Sequence, residues 1–287
     1  MTQHSTTPQT TPTTSTSDTS TTVTFTKHHG LGNDFLVTFH PSLSDLPALA
    51  RHVCDRRRGI GADGLIVGES AEGYAARMIL FNADGGRAEM SGNGIRCFAQ
   101  ALASRRGELV PQRILTDAGE RLVTLFATDD PDTIEASVAM GAVEPLDEPS
   151  GWGELGCHPD RPVAHLSVGN PHSVVGVDAV AAVDLLHLGS LVPHINLEIV
   201  EPGPEPNAIT MRVHERGAGV TEACGTGAVA SAFAALQWGL VPASLPEIVV
   251  HMDGGSARVA VDRTTGRTEL TGPATYVARI EIEIDIT

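Results

Sequence analysis

Lysine is nearly missing from this chain: Lys27 is the only one in 287 residues, and the other basic residues are arginines. A pyridoxal-phosphate enzyme needs a lysine for its Schiff base. Nothing around Lys27 reads as a cofactor pocket, so that chemistry is disfavoured. Positive charge is scarce altogether, with 19 Lys and Arg against 35 Asp and Glu and a net charge of −16. That balance argues against a nucleic-acid or anionic-membrane partner. No apolar run approaches the roughly 18 residues needed to cross a bilayer, so no membrane partner is expected. The four cysteines (Cys54, Cys97, Cys157 and Cys224) form no CxxC pair and no zinc-finger spacing. A chain this long does not need disulfides, so free thiols in a reducing, cytoplasmic compartment are expected. HExxH is absent and the twelve histidines are scattered. No metal and no cofactor are expected.

What is present suffices for a sizeable core. The apolar share is 41% and the mean hydropathy +0.01, in 30.0 kDa. Length allows one large domain or two of about 130 residues. Residues 1–22 read as a disordered tail, because fifteen of them are Ser or Thr. They lack the apolar stretch of a secretory signal and the arginines of a transit peptide. The fold is expected to begin near Val23.

From there strands and helices mix. Strands are expected at Val23–Thr26 and Phe35–Phe39, around a loop His29–Asp34, and at Leu65–Val67 and Ala75–Phe81. Further strands read at Ile114–Leu115, Arg121–Phe126, Ile134–Val138, Val163–Val168, Val174–Val177, Ile195–Val200 and Ile209–Val213. The chain ends with Glu247–Val250, Ala257–Val261 and Val277–Ile286. Helices read at Leu43–Arg57, Ile95–Arg105 and from Gly227 to about Leu240. Gly59-Ile60-Gly61-Ala62-Asp63-Gly64 matches the dinucleotide pattern GxGxxG. Here a helix precedes the glycines and a strand follows, the reverse of what a pyrophosphate site requires. The dinucleotide reading fails.

A repeat carries more information. Ala88-Glu89-Met90-Ser91-Gly92-Asn93-Gly94 and Thr221-Glu222-Ala223-Cys224-Gly225-Thr226-Gly227 lie 133 residues apart. Each is Glu-x-[Ser/Cys]-Gly-[Asn/Thr]-Gly running into an apolar helix. A spacing near half the chain suggests two similar domains about a pseudo-two-fold axis. Glycines at a helix start admit a ligand close to free N–H groups, and with the helix dipole they make an anion site. A thiol there is expected to have a lowered pKa. Two such elements face to face would grip one carboxylate and set a proton-transfer group on each side of the adjacent carbon. That is the geometry of two-base racemisation.

The sequence resembles the diaminopimelate epimerase family. The resemblance rests on Gly30-Leu31-Gly32-Asn33-Asp34-Phe35, the run Asp55–Gly64, Phe81-Asn82-Ala83-Asp84-Gly85, Gly92–Cys97, Gly169-Asn170-Pro171-His172, and Arg212–Gly219 leading into Ala223–Gly227. These motifs stand in the family's order across residues 25–285. The resemblance implies an α+β fold of two similar mixed α/β domains, each a mostly antiparallel sheet wrapped on a central helix. The domains are expected at 23–138 plus 272–287 and at 139–271. It also implies a cofactor-independent epimerase interconverting LL- and meso-2,6-diaminopimelate, for lysine and peptidoglycan synthesis in a bacterial cytoplasm. The second family cysteine falls on Cys224, and Glu215 and His172 match residues beside the two catalytic groups. Asn33, Asn82, Asn170, Asn196 and Arg216 match positions that hold the substrate's amines and distal carboxylate. Gly92, Asn93, Gly225 and Thr226 are the expected carboxylate contacts at the helix starts. The assembly stands between monomer and homodimer.

The departure is Ser91, which stands where the family has its first cysteine. A hydroxyl is a far weaker acid than a thiol and a poor base without help. Two other readings accompany the epimerase: a proline-racemase-type dehydratase or epimerase of a hydroxyproline-like substrate, and a non-catalytic diaminopimelate-binding relative. Cys97, six residues further on, reads as a packed core thiol. Gly64 stands where some relatives have a polar side chain, which loosens one expected substrate contact.

Overall fold

The computed structural model describes residues 20–40 and 43–285. The first half opens with a hairpin, β1 (Ser20–Gly30) and β2 (Asn33–Thr38). Its two-residue turn has φ of 57° at Leu31 and 83° at Gly32, the double positive φ that matches strand twist. The expected loop His29–Asp34 therefore shrinks to two residues. Helix α1 (Leu46–Cys54) follows, shorter than the expected Leu43–Arg57 because Asp45 caps it and Pro47 sits in its first turn. At its other end Asp55 adopts extended backbone and accepts the amides of Arg57 and Arg58.

Strand β3 (Gly64–Glu69) runs parallel to β2, and β4 (Ala76–Asn82) antiparallel to β3. The short β5 (Arg87–Ala88) turns back on β4. Helix α2 (Gly92–Arg106) leads to β6 (Gln112–Thr116), parallel to β4. Then β7 (Gly119–Ala127) and β8 (Thr133–Ala142) continue antiparallel.

The second half repeats this order. After β9 (Glu144–Pro145) come β10 (Val163–Ser167) and β11 (Pro171–Gly176), an antiparallel pair, then the short helix α3 (Leu185–Leu191). Strand β12 (Asn196–Pro202) is parallel to β11, and β13 (Ala208–Glu215) antiparallel to β12. The short β14 (Gly219–Thr221) precedes α4 (Gly225–Trp238) and β15 (Glu247–Met252), parallel to β13. Strands β16 (Gly255–Val261) and β17 (Arg267–Asp285) close the chain. Every parallel and antiparallel step from β1 to β8 recurs from β10 to β17, which establishes the pseudo-two-fold relation.

The long β17 joins the halves. It pairs with β16 up to Thr271 and with β8 from Arg267 to Thr275, then with β1 to Asp285. Where partners change we propose the domain division, 139–271 against the rest. The β1 pairing corrects one expectation: Ser20–Thr22 belong to the fold, paired with Glu283–Asp285, rather than to the tail. The tail's residues 1–19, and the expected strand end at Ile286, lie outside the described residues.

Helices α2 and α4 are buried on nearly all sides, which explains sequences apolar all round rather than striped. Ile95, Phe98 and Leu102 of α2 share one core with Val229, Ala232 and Ala235 of α4. The run of alanines in α4 lets strands close tightly around it. Both helices end on a glycine at φ 73°, Gly107 and Gly239, in the left-handed cap position.

Candidate active site

The starts of α2 and α4 meet at the molecule's centre. Ser91 caps α2, its Oγ accepting the Gly94 amide at 3.0 Å. Cys224 caps α4 in the same way, its Sγ accepting the Gly227 amide at 3.3 Å. Their backbones nearly match, at φ −139° and ψ 125° for Ser91 and φ −129° and ψ 115° for Cys224. Gly92 and Gly225 touch back to back, since a Cβ on Gly225 would lie 2.7 Å from Gly92 Cα. The amides of Gly92, Asn93, Gly225 and Thr226 have no intrahelical acceptor. Two positive helix ends thus converge on one spot, which suits a carboxylate.

A cleft of about 290 Å³ opens there. Asn33, Asn82, Ser91, Gly92, Asn170, Asn196, Glu215, Arg216, Cys224, Gly225 and Thr226 all line it. The sequence-derived site is therefore one site, apart from two residues. Asn93 is buried behind the wall and works as a tie. Its Nδ2 donates to Asn33 Oδ1 at 3.2 Å and to the Ala223 carbonyl at 3.0 Å, bridging the halves next to Cys224. Arg96 holds Asn93 in turn, donating to its Oδ1 at 2.8 Å and to the carbonyls of Gly92 and Pro273. Burial lowers the Arg96 pKa to about 10, so it is a buried cation at neutral pH beneath the helix junction.

His172 is the second displaced residue. Its side chain does not line the cleft but lies beneath it, with both ring nitrogens engaged. Sequence reasoning missed its partner, Glu198, which is fully buried with Oε1 2.6 Å from His172 Nδ1. Nothing in periodicity marks Glu198, because Ile195–Val200 reads as an apolar strand with one acidic residue. Asp63 was also missed as a wall residue; its Oδ2 accepts Asn33 Nδ2 at 2.8 Å. A signal existed in Gly61-Ala62-Asp63-Gly64, which lies within the family motif Asp55–Gly64 but from which no site residue was drawn.

The remaining polar residues are fixed by backbone. Asn196 donates to the Pro171 carbonyl and accepts the Arg216 amide at 2.9 Å. The Arg216 guanidinium reaches across the cleft to Glu89 Oε2 at 3.2 Å. Gly64 leaves no room for a longer residue, since a Cβ there would come within 2.8 Å of the Phe81 carbonyl oxygen.

Electrostatics correct the expectation of an acidic thiol. Burial pushes the Cys224 pKa well above its ordinary value, and Glu215 and Glu198 push it further. The Thr226 hydroxyl and the Gly227 amide oppose this with hydrogen bonds to the sulfur. Glu215 is itself raised by burial, against hydrogen bonds from Thr221 and Cys224. Burial thus favours the protonated form of both members of the pair. Cys97 is fully buried in the core, its pKa raised to about 12, as a packing thiol should be.

The family model described as diaminopimelate epimerase matches residues 25–145 and 165–277. Diaminopimelate epimerase of Synechococcus elongatus is 37% identical over 287 residues, covering 91% of this chain and 98% of that one. The enzymes of Magnetococcus marinus (38%, covering 90% and 96%) and Moorella thermoacetica (35%, covering 91% and 99%) are similarly close. Among solved structures, a phenazine biosynthesis protein of the PhzF family from Bacillus anthracis superposes with a TM-score of 0.71 at 15% identity, covering 92% and 100%. A hydroxyproline epimerase from Agrobacterium vitis gives 0.67 at 16%, covering 92% and 93%. At such identities the structural likenesses show the fold alone.

Proposed function

The chain belongs to the diaminopimelate epimerase family, and from that premise we propose how its own residues interconvert LL- and meso-2,6-diaminopimelate. One observation carries the reading. Ser91 and Cys224 cap two buried helices whose starts abut at Gly92 and Gly225. A carboxylate seated on that junction presents its Cα between the two caps.

The reacting carboxylate takes the free amides of both helix starts. Charge that develops on it as the α-proton leaves is stabilised where the helix dipoles converge, with the Arg96 cation beneath. Glu215 accepts the Cys224 thiol proton, and the Sγ thiolate then removes the α-proton on its face. Burial raises the proton affinity of Glu215, which makes it a stronger base toward the thiol beside it. Return of the proton from Cys224 gives retention; delivery from the Ser91 hydroxyl on the other face gives inversion, after which Cys224 keeps the α-proton as its thiol and the Ser91 alkoxide is reprotonated from solvent as Glu215 releases its proton there. Asn33, Asn82, Asn170 and Asn196 orient the polar ends without cancelling charge. Arg216 takes the distal carboxylate in place of Glu89.

A bacterial cytoplasm belongs to the same reading, and the four unpaired cysteines support it. Purified protein incubated with LL- or meso-diaminopimelate in D₂O should place deuterium at Cα, and Cys224→Ala should abolish it. Absence of exchange from both isomers would overturn the reading.

A further inference from the structure

The two halves differ beneath their helix starts. Below the first turn of α2 a Cβ on Gly94 would meet Ser91 and the Ile66 side chain. Below α4 a Cβ on Gly227 would meet Cys224 and Glu198 Oε1. Ile66 and Glu198 are thus counterparts, on β3 and β12. Phe35 and His172 are counterparts as well, each two residues after the asparagine of its motif, Asn33 or Asn170. Phe35 pairs with Gly64, and His172 with Asn196. One half has Phe and Ile where the other has a buried histidine and carboxylate.

A continuous chain leads from that pair to the sulfur. His172 Nδ1 lies 2.6 Å from Glu198 Oε1, and Nε2 lies 2.9 Å from Asn170 Oδ1. Asn170 Nδ2 donates to Thr226 Oγ1 at 3.3 Å, and Thr226 Oγ1 lies 3.5 Å from Cys224 Sγ. An ionised carboxylate only accepts, so Nδ1 carries a hydrogen; the amide oxygen only accepts, so Nε2 does too. The two acceptors thus ask for a hydrogen on each ring nitrogen of His172, with the Glu198 carboxylate facing one of them. Because Thr226 accepts from Asn170, its own hydrogen points to Sγ. Every link donates toward Cys224.

We propose that Glu198 is a positioning residue that, acting through His172, Asn170 and Thr226, polarises this chain so that a donor is always presented to the Cys224 sulfur. The proposal rests on Cys224 being the base described above. It accounts for the asymmetry of the two halves, since a histidine–carboxylate pair lies under the thiol and Phe35 and Ile66 take its place under Ser91. The titratable groups facing Sγ are Glu215 from β13, Glu198 from β12 and His172 from β11. Helix α4 contributes none, and Arg96 lies beneath the opposing helix. A carboxylate at 198 does two opposite things: its bare charge disfavours a thiolate, and its ordering of the chain favours one. The proposal asserts that ordering wins.

Glu198→Gln keeps the volume and removes the charge. Nitrogen-15 NMR of His172 at pH 7 should show an imidazolium in the parent and a neutral ring in Glu198→Gln. Cys224 alkylation by iodoacetamide, followed by peptide mass spectrometry across pH, should shift to higher pH in the variant. Thr226→Val cuts the last link and should give the same alkylation shift while His172 stays charged. Exchange should fall about tenfold or more in kcat with little change in KM, the scale of one charge-assisted hydrogen bond, and Glu198→Asp should restore part of it. Alkylation that shifts to lower pH, or does not move in either variant, overturns the proposal, as does an imidazolium that persists in Glu198→Gln. The NMR and alkylation readings need no turnover, so they decide this proposal even if the parent shows no exchange.

Discussion

Adding one methyl group where the helices meet should cost far more activity than its effect on folding suggests. In Gly225→Ala the new Cβ would sit 2.7 Å from Gly92 Cα and 3.0 Å from Gly92 C, both backbone atoms that cannot rotate aside. Ordinary contact begins at 3.4 Å, so the two helix starts must part by about 0.7 Å. The overpacking should cost about 1–3 kcal/mol of stability. Misplacement of a catalytic group by ~1 Å is worth about 10²-fold in rate, so the exchange rate should fall between about tenfold and 10²-fold. Gly239→Ala is the matched control at the far end of the same helix. No atom lies within 4 Å of its Cβ, but φ is 73°, so it loses a comparable ~1–2 kcal/mol through strain. Urea unfolding and α-deuterium incorporation, measured on both, separate the two effects. If the two variants lose equal stability and equal activity, or Gly225→Ala exchanges at the parent rate, the helix junction does not hold the reacting carboxylate.

Ser91→Cys should raise full epimerisation by ~10²-fold or more by restoring a general base on the second face, and rates of both isomers with and without reductant check it. Parent and variant with equal rates would make Ser91 a competent base as it stands. Glu89→Gln frees Arg216 from its only carboxylate partner among the described residues, so KM for diaminopimelate should fall several-fold with kcat steady. Both side chains of that pair are well exposed, so stability should change by less than about 1 kcal/mol. His28 is fully buried, and burial lowers its pKa from 6.5 to about 4. A depressed histidine adds stability above its unfolded pKa and loses it as pH falls from about 6.5 to 4, amounting to about 3 kcal/mol. His28→Phe removes that linkage, so its urea midpoint should decline less between pH 7 and pH 4 than the parent's.

Much of this was legible before any coordinates. Serine and cysteine at the same offset in two glycine-rich segments marked two matching helix starts, because a helix start is a local device; that Ser91 and Cys224 cap those helices is a finding of the structure. Strand positions followed from alternation and were mostly right, but the short β5, β9 and β14 and the stretch 267–276 of β17 were not expected. Helix α3 was missed, since Leu185–Leu191 is only seven residues and its pattern is too short to declare a period. The β1 start was read three residues late. Ser20-Thr21-Thr22 looks like the tail before it, and only pairing with β17, more than 260 residues away in sequence, makes it a strand.

The sequence by itself determined the two-fold repeat, the two glycine-rich helix starts and about half of the residues that line the cleft. Those properties depend on local backbone chemistry and on motifs with fixed spacing. Tertiary structure alone decided the charge states. A thiol at a helix start was expected to be acidic, but desolvation together with Glu215 and Glu198 reverses the sign, and both carboxylates arrive from other strands. It also decided that His172 stands behind the wall rather than at it. Burial and nonlocal charge are sums over neighbours that the chain assembles only on folding, so no reading of adjacent residues contains them.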